Sequence, residues 1–383
     1  MKRVLFLLGC FMVTGLIAQV RTESFESYKL TEERQLRIYI PEDYSDEEPT
    51  PYPLIVVMDA EYLFDPVVSA VKYYSYWKKM PNAIVVGIDQ NAKDERFDDC
   101  DYSDEDGLPH EKGSDFFEFV GEELVNYMAQ QYKIASFKML IGHGFTGNFA
   151  NYYMFYEKPV FSSVISLSPD MAPYMEERVA EMLKLADTKT FYYLATAEND
   201  DRDNKKRAKE LNKLASAVEN ENVVYKFDIF EGADHNSMPS YAIPKAFDNI
   251  FDVYKLISPA EFKEKVLPQE GPVHEYLVEK YNTIEQLFGF RKPYNLNDIM
   301  AIYAAAKKKD DLEALEFLGN LGKKEYPETM LGFFFMAEFL ELSGEPKQAL
   351  KAYEKAFNFK EIDFITKDLA LQRMDALKAD FGW

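Results

Sequence analysis

The stretch LIGHGFTGNFA, residues 140–150, closes an apolar strand-like run and enters a helix-like one through a turn at Gly144. Outward from that turn, strand-like and helix-like runs alternate between about residues 27 and 254. RQLRIYI (34–40), YPLIVVMDA (52–60), NAIVVGIDQ (82–90), FKMLIG (137–142), FSSVISLS (161–168), TFYYLATA (190–197) and VVYKFDIF (223–230) are short and rich in β-branched and aromatic residues. Several are apolar at consecutive positions, the pattern of strands covered on both faces. Between them, FFEFVGEELVNYMAQQY (116–132) sets Phe116, Phe119, Val120, Leu124 and Met128 on one helical face. NKKRAKELNKLASAVEN (204–220) does the same with Ala208, Leu211 and Leu214. This alternation predicts an α/β fold, a mostly parallel sheet flanked by helices, with its chemistry at the carboxyl ends of the strands.

The chain has 383 residues, 47% of them hydrophobic, enough for two domains. A formal net charge of −22 repels phosphate backbones and anionic lipid heads, which argues against a nucleic-acid partner. The opening residues MKRVLFLLGCFMVTGLIAQV place a basic start, an apolar run and the small Ala18 in the order of an export signal, 1–18, rather than a membrane span. Because the apolar run continues past Cys10, cleavage near Ala18 is preferred to lipidation at Cys10. The expected destination is the periplasm or the exterior. Removal of that segment leaves Cys100 as the single cysteine, so no internal disulfide is expected and Cys100 reads as a spare loop thiol.

After about residue 256 no strand pattern remains. PVHEYLVEKYNTIEQLFGF (272–290) is amphipathic, and residues 295–322 read as two further helices. FFFMAEFLELSGEPKQALKAYEKAF (333–357) matches one tetratricopeptide unit, with Ala337, Gly344, Ala349, Tyr353 and Ala356 at its small and aromatic positions. Such a unit must stack on neighbours to bury its apolar face. The expected division is 21–258 for the α/β domain, 259–295 for connecting helices and 296–383 for the tetratricopeptide-like region.

Six blocks in order resemble the esterase family of the α/β-hydrolase superfamily, the group of esterase D-like and siderophore-esterase enzymes. They are LIVVMDAEYLF (54–64), IVVGIDQNAKDERFDDCDY (84–102), the helix at 116–132, IGHGFTGNFA (141–150), SVISLSPD (163–170) and FEGADHNSMPSYAIPKAFDNIF (230–251). The resemblance implies an α/β-hydrolase fold and a serine on a sharp strand-to-helix turn, activated by a histidine that a carboxylate orients. The histidine matches His235. Glu198 is the best match for the carboxylate, with Asp200 and Asp201 competing. Backbone amides of Phe145 and Ala60 match the oxyanion donors, and Arg96, Asp101 and Tyr102 the loop lining the pocket.

The nucleophile position, where the family writes Gly-His-Ser-Phe-Gly-Gly, is Gly144. Glycine has no side chain and forms no acyl-enzyme. It adopts positive φ without steric penalty, which relieves the strain a serine bears at such a turn. Thr146 replaces the family's glycine two residues further on and implies a relaxed or reshaped turn. Neither Thr146, His143, Ser166 nor Ser168 stands in convincingly for the missing hydroxyl. The Ser-Pro pair at 168–169 is expected to form a turn.

The acidic run KDERFDDCDYSDEDGLPHEKGSD (93–115) lacks the spacing of a calcium loop and reads as solvated chain at the pocket rim, with weak cation binding as the alternative. Four histidines without ligand spacing point to no metal and no cofactor. KYYSYW (72–77) reads as helix packed on the sheet, with aromatics lining a sugar or aromatic-ester site as the alternative. The expectation is an exported esterase-family fold that lacks serine-esterase activity and binds a small ligand, a glycan or another protein. Two alternatives stand beside it: ester hydrolysis in which His235 activates water, and an interaction protein working through its carboxy-terminal helices.

Overall fold

The computed structural model describes residues 20–383 except 46, 48, 91–93 and 157. The proposed export segment, with Cys10 and Ala18, lies outside the described residues. The strands are β1 (Val20–Ser27), β2 (Glu32–Tyr39), β3 (Tyr52–Val57), β4 (Ile84–Ile88), β5 (Ile134–His143), β6 (Ser163–Leu167), β7 (Thr190–Asn199) and β8 (Val223–Asp234). They form one sheet in the order β1-β2-β4-β3-β5-β6-β7-β8. From β4 to β8 all neighbours are parallel, while β1 and β2 add an antiparallel edge. Seven strands are those the sequence predicts. The eighth, β1, is polar and largely exposed at the sheet edge, so it carries little apolar signal.

Each central strand is apolar on both sides because helices cover both faces. In β3, Leu54 and Val56 face one core, Ile55 and Val57 the other. The first core takes Phe116, Phe119 and Val120 from the helical run 112–131, which comprises α3 (Lys112–Glu118), a π-helical turn and α4 (Val125–Gln131). It also takes Phe149 of α5 (Phe145–Asn151), Val179 of α6 (Met175–Leu185) and Leu211 of α7 (Arg202–Ala215). The second core packs α1 (Ala60–Tyr76) and α8 (Met238–Ile250) under the sheet.

The acidic run is not uniformly solvated. It holds the short helix α2 (Glu95–Asp99), whose last residue, Asp99, is fully buried and ion-paired with Arg34 at 2.5 Å. Cys100 follows it into the core at 4% exposure, so it is a buried thiol and not a spare loop one. KYYSYW departs from its expectation too. Tyr73, Tyr76 and Trp77 are exposed where α1 runs past the sheet, and Tyr74 alone of the four packs on the core.

Beyond Leu256 the described chain is helical: α9 (Pro259–Glu261), α10 (His274–Phe288), α11 (Leu296–Lys309), α12 (Leu312–Glu325), α13 (Leu331–Leu342), α14 (Pro346–Ala356) and α15 (Lys367–Phe381). α10 joins the two parts, giving Ile284 and Phe288 to the sheet's second core and Leu277 and Tyr281 to the helical core. Ala337, Ala349, Tyr353 and Ala356 are fully buried, and Gly344 takes φ +78° in the turn between α13 and α14. Among the described residues no helix is long and apolar enough to cross a membrane.

Candidate active site

The parallel strands end together, and the chain leaves each with a residue that matters. β3 delivers Asp59, β5 delivers Gly144, β6 Ser168, β7 Asp200 and β8 His235. Carboxyl ends of neighbouring strands are where such sheets gather chemistry.

The elbow keeps its shape without its hydroxyl. Gly144 has φ 61° and ψ −118°, and its N–H donates to the Leu167 carbonyl at 2.9 Å. The turn expected to be relaxed is therefore sharp. A Cβ on Gly142 would collide with the Thr146 carbonyl, and one on Gly147 would lie 2.9 Å from the Leu167 carbonyl, so these two glycines make the close crossing of strand and helix. Thr146 fits because its hydroxyl is fully used. It donates to Asp59 Oδ2 at 2.6 Å and accepts from the His143 N–H at 2.8 Å. Sequence reading weighed the size of Thr146 and missed its buried acceptor, 87 residues upstream.

A Cβ built on Gly144 stands 3.5 Å from His235 Nε2 and 3.3 Å from Arg96 Nη2. His235 is aimed at the missing group. Its Nδ1–H donates to Asp200 Oδ1 at 2.9 Å. The orienting carboxylate is thus Asp200. Glu198, the preferred match, instead accepts from the Gly232 N–H at 2.7 Å on the exposed side of β7, and Asp201 stands at the N-cap position of α7 without a side-chain capping bond. Asp200 also accepts from the Ser168 hydroxyl, from Thr196 Oγ1 at 2.6 Å and from the amides of Ala197 and Asp201. Burial alone would raise the Asp200 carboxyl; the bonds from His235, Ser168 and Thr196 hold it well below the ordinary carboxylate range. These donors occupy the Asp200 oxygens, which removes them from competition for a cation at the Asp200–Asp201–His235 cluster.

Ser168 lies 3.0 Å from His235 Nδ1, while the Gly144 Cβ position lies beside Nε2 of the same ring. It holds the carboxylate in place and is fully buried at φ 42°. Ser166 donates to the Gly147 carbonyl at 2.8 Å and ties β6 to α5. His143 Nε2–H donates to the His235 carbonyl at 3.1 Å, which leaves Nδ1 to accept from Tyr62, 3.0 Å away. Burial, with His235 and Arg96 nearby, pushes the His143 imidazole down to about 3, so it is neutral.

Arg96 is locked by two bonds to Asp59, at 2.6 and 3.0 Å, and one to the His143 carbonyl at 2.9 Å. The other residues expected at the pocket diverge. Asp101 is exposed and faces His110 at 3.8 Å. Tyr102 is half-buried, bridged to Pro109, in the field of Asp170 and Arg207. Ala60 and Phe145 are the first residues of α1 and α5, at the ends of the paired strands β3 and β5. Amides of a first helical turn are unused by their own helix, and here two such turns lie side by side. The site as built holds an oriented imidazole, a guanidinium and two helix starts around an empty Cβ position.

Residues 27–237 match the family model described as "Putative esterase". A crystal structure of an uncharacterised protein from Capnocytophaga ochracea DSM 7271 is 39% identical and has a TM-score of 0.86; the match covers 94% of this chain and 100% of that one. An IroE-like serine hydrolase from Shewanella oneidensis has the same fold at 18% identity and a TM-score of 0.57, over 80% of this chain and 99% of that one. The BES protein from Bacillus cereus does so at 21% identity and 0.53, over 65% of this chain and 97% of that one. No curated protein matches the chain.

Proposed function

The chain belongs to the esterase family of α/β-hydrolase folds, and from that premise we propose that this member binds an acyl or ester ligand at the elbow without forming an acyl-enzyme. The observation that carries this reading is the Gly144 Cβ position, 3.5 Å from His235 Nε2 with no atom able to attack a carbonyl. The rest of the constellation argues that the site is still used for recognition. A buried carboxylate, an oriented imidazole and an arginine held by three bonds are costly to maintain in a scaffold that touches no ligand.

A second reading has its own observation. His235 Nε2 faces the unfilled Cβ position while Asp200 holds Nδ1, the arrangement of a general base for a water molecule. One experiment separates the two. The wild-type protein is treated with a fluorophosphonate probe and, separately, assayed with p-nitrophenyl acetate beside His235→Ala. The binding reading expects no adduct and no His235-dependent turnover. Turnover lost in His235→Ala would establish the water mechanism instead, and an adduct near the elbow would overturn both.

We also propose that the chain is exported and that residues 296–383 form a tetratricopeptide-like unit serving as a protein-docking surface. The basic, apolar, small-residue order of residues 1–18 supports the first. Close helix pairing supports the second: a Cβ on Gly332 of α13 would collide with the α12 backbone at Gly319, Gly322 and Lys323.

A further inference from the structure

A cavity of about 450 Å³ lies where the amino edge of the sheet meets the helical region. Tyr52, Lys78, Asn82, Tyr254, Arg291 and Lys292 are among its lining residues. Tyr52 opens β3, and Asp59 leaves its other end, so the cavity and the elbow sit at opposite edges of the sheet, roughly 20 Å apart at strand rise. We propose that this cavity binds a small organic anion, a carboxylate or phosphate on a partly apolar group, anchored by Lys292.

Lys292 is 6% exposed. Its ammonium donates to the Tyr254 carbonyl at 2.6 Å and lies 4.2 Å from the Tyr254 ring centre and 5.3 Å from that of Tyr281. Two aromatic faces and one carbonyl stabilise a cation, but an ammonium has three donors. Among the described residues no carboxylate lies within ion-pair distance of it. Burial pushes its pKa down to about 8. The other buried lysine among the described residues is held differently: Lys280, 6% exposed in its side chain, is paired with Glu261 at 2.7 Å. Asp298 and Glu261 act on this ammonium only through their fields, so in a protein of net charge −22 an anion in the cavity would supply the direct partner it lacks.

The lining agrees. Lys78 and Arg291 bring two more cations, against the single carboxylate of Asp43. That carboxylate accepts from Asn82 Nδ2 at 2.6 Å, and the nearest ion-pair partner of Arg291, Glu325, is 3.8 Å away. Tyr254, Phe290 and four prolines supply apolar wall, which suits an organic group more than a bare ion.

Isothermal titration of the full chain with benzoate and with inorganic phosphate tests the assignment and separates the two anion classes. At least one probe is expected to show a single saturable site. Lys292→Met, which keeps the volume between the two rings, should weaken it by about tenfold or more. The exposed-residue double variant Lys78→Ala/Arg291→Ala should weaken it several-fold, and decides the matter if Lys292→Met does not fold. His235→Ala should leave binding unchanged. The proposal is overturned if neither probe binds saturably, if binding survives both sets of variants, or if His235→Ala abolishes it.

Discussion

The two sides of the elbow cleft differ in what they have kept. On the β7–β8 side every atom needed to orient a base is present, and the Asp200 carboxylate accepts from five groups. On the β5–α5 side the backbone is intact, while the one side-chain atom that would do chemistry is gone. The two kinds of information are stored differently. The elbow's shape is held by contacts that involve no hydroxyl at position 144: Gly142 and Gly147 at the crossing, Thr146 on Asp59, and the Gly144 N–H on Leu167. Its reactivity rests on one atom. The absence of a hydroxyl at position 144 therefore leaves the elbow's shape unchanged, and the comparison can be tested one substitution at a time.

The largest expected effect comes from closing the difference. Gly144→Ser places an oxygen beside His235 Nε2 and should raise hydrolysis of p-nitrophenyl acetate by at least on the order of 10²-fold over wild type. It should also cost stability, on the order of 1–3 kcal/mol, because serine would occupy φ 61°. A gain in rate with a lower melting temperature supports a site lacking only its hydroxyl. A folded variant with no gain in rate over wild type would show that the β7–β8 side is out of register.

A smaller effect concerns the neutral His143 that links the two sides through the His235 carbonyl. Its folded pKa of about 3 lies below the ordinary 6.5, so the unfolded chain takes up the proton first. The stability it contributes is complete above pH 6.5 and is lost as pH falls toward 3. Between pH 6.5 and about 4.5 this amounts to roughly 2–3 kcal/mol in wild type, and His143→Gln should flatten that part of the curve. Urea midpoints across the interval measure it. Parallel curves for the two proteins would mean that His143 is not held neutral by its surroundings.

How much of this was legible follows from what each residue interacts with. Strands covered on both faces announce themselves as apolar runs, so β2 to β8 were readable and the polar edge strand β1 was not. Gly144 and His235 were readable because each sits in a local motif. The choice among Glu198, Asp200 and Asp201 was not, since alternation alone would put Glu198 and Asp200 on one face. The pairing of β7 with β8 shifts register between Ala197 and Asn199, and that irregularity sends Glu198 to Gly232 and Asp200 to His235. Arg34 and Asp99, and Asp59 with Thr146, are pairs 65 and 87 residues apart, and nothing in either segment alone marks them.

The smallest effect bears on why the elbow stays sharp. If the turn were set by glycines alone, restoring the family residue with Thr146→Gly would be neutral or favourable. The structure argues otherwise. The Thr146 hydroxyl is buried, and its removal leaves Asp59 without one of its donors and the His143 amide without its acceptor. Unmet buried polar groups of this kind cost about 1–3 kcal/mol, and glycine in a helix adds a further penalty. Thr146→Gly should therefore lower the urea midpoint, and Thr146→Ser, which keeps the oxygen, should recover most of the loss. Equal destabilisation by serine and glycine would assign the role to the threonine methyl, and the hydroxyl would no longer explain how the empty elbow keeps its shape.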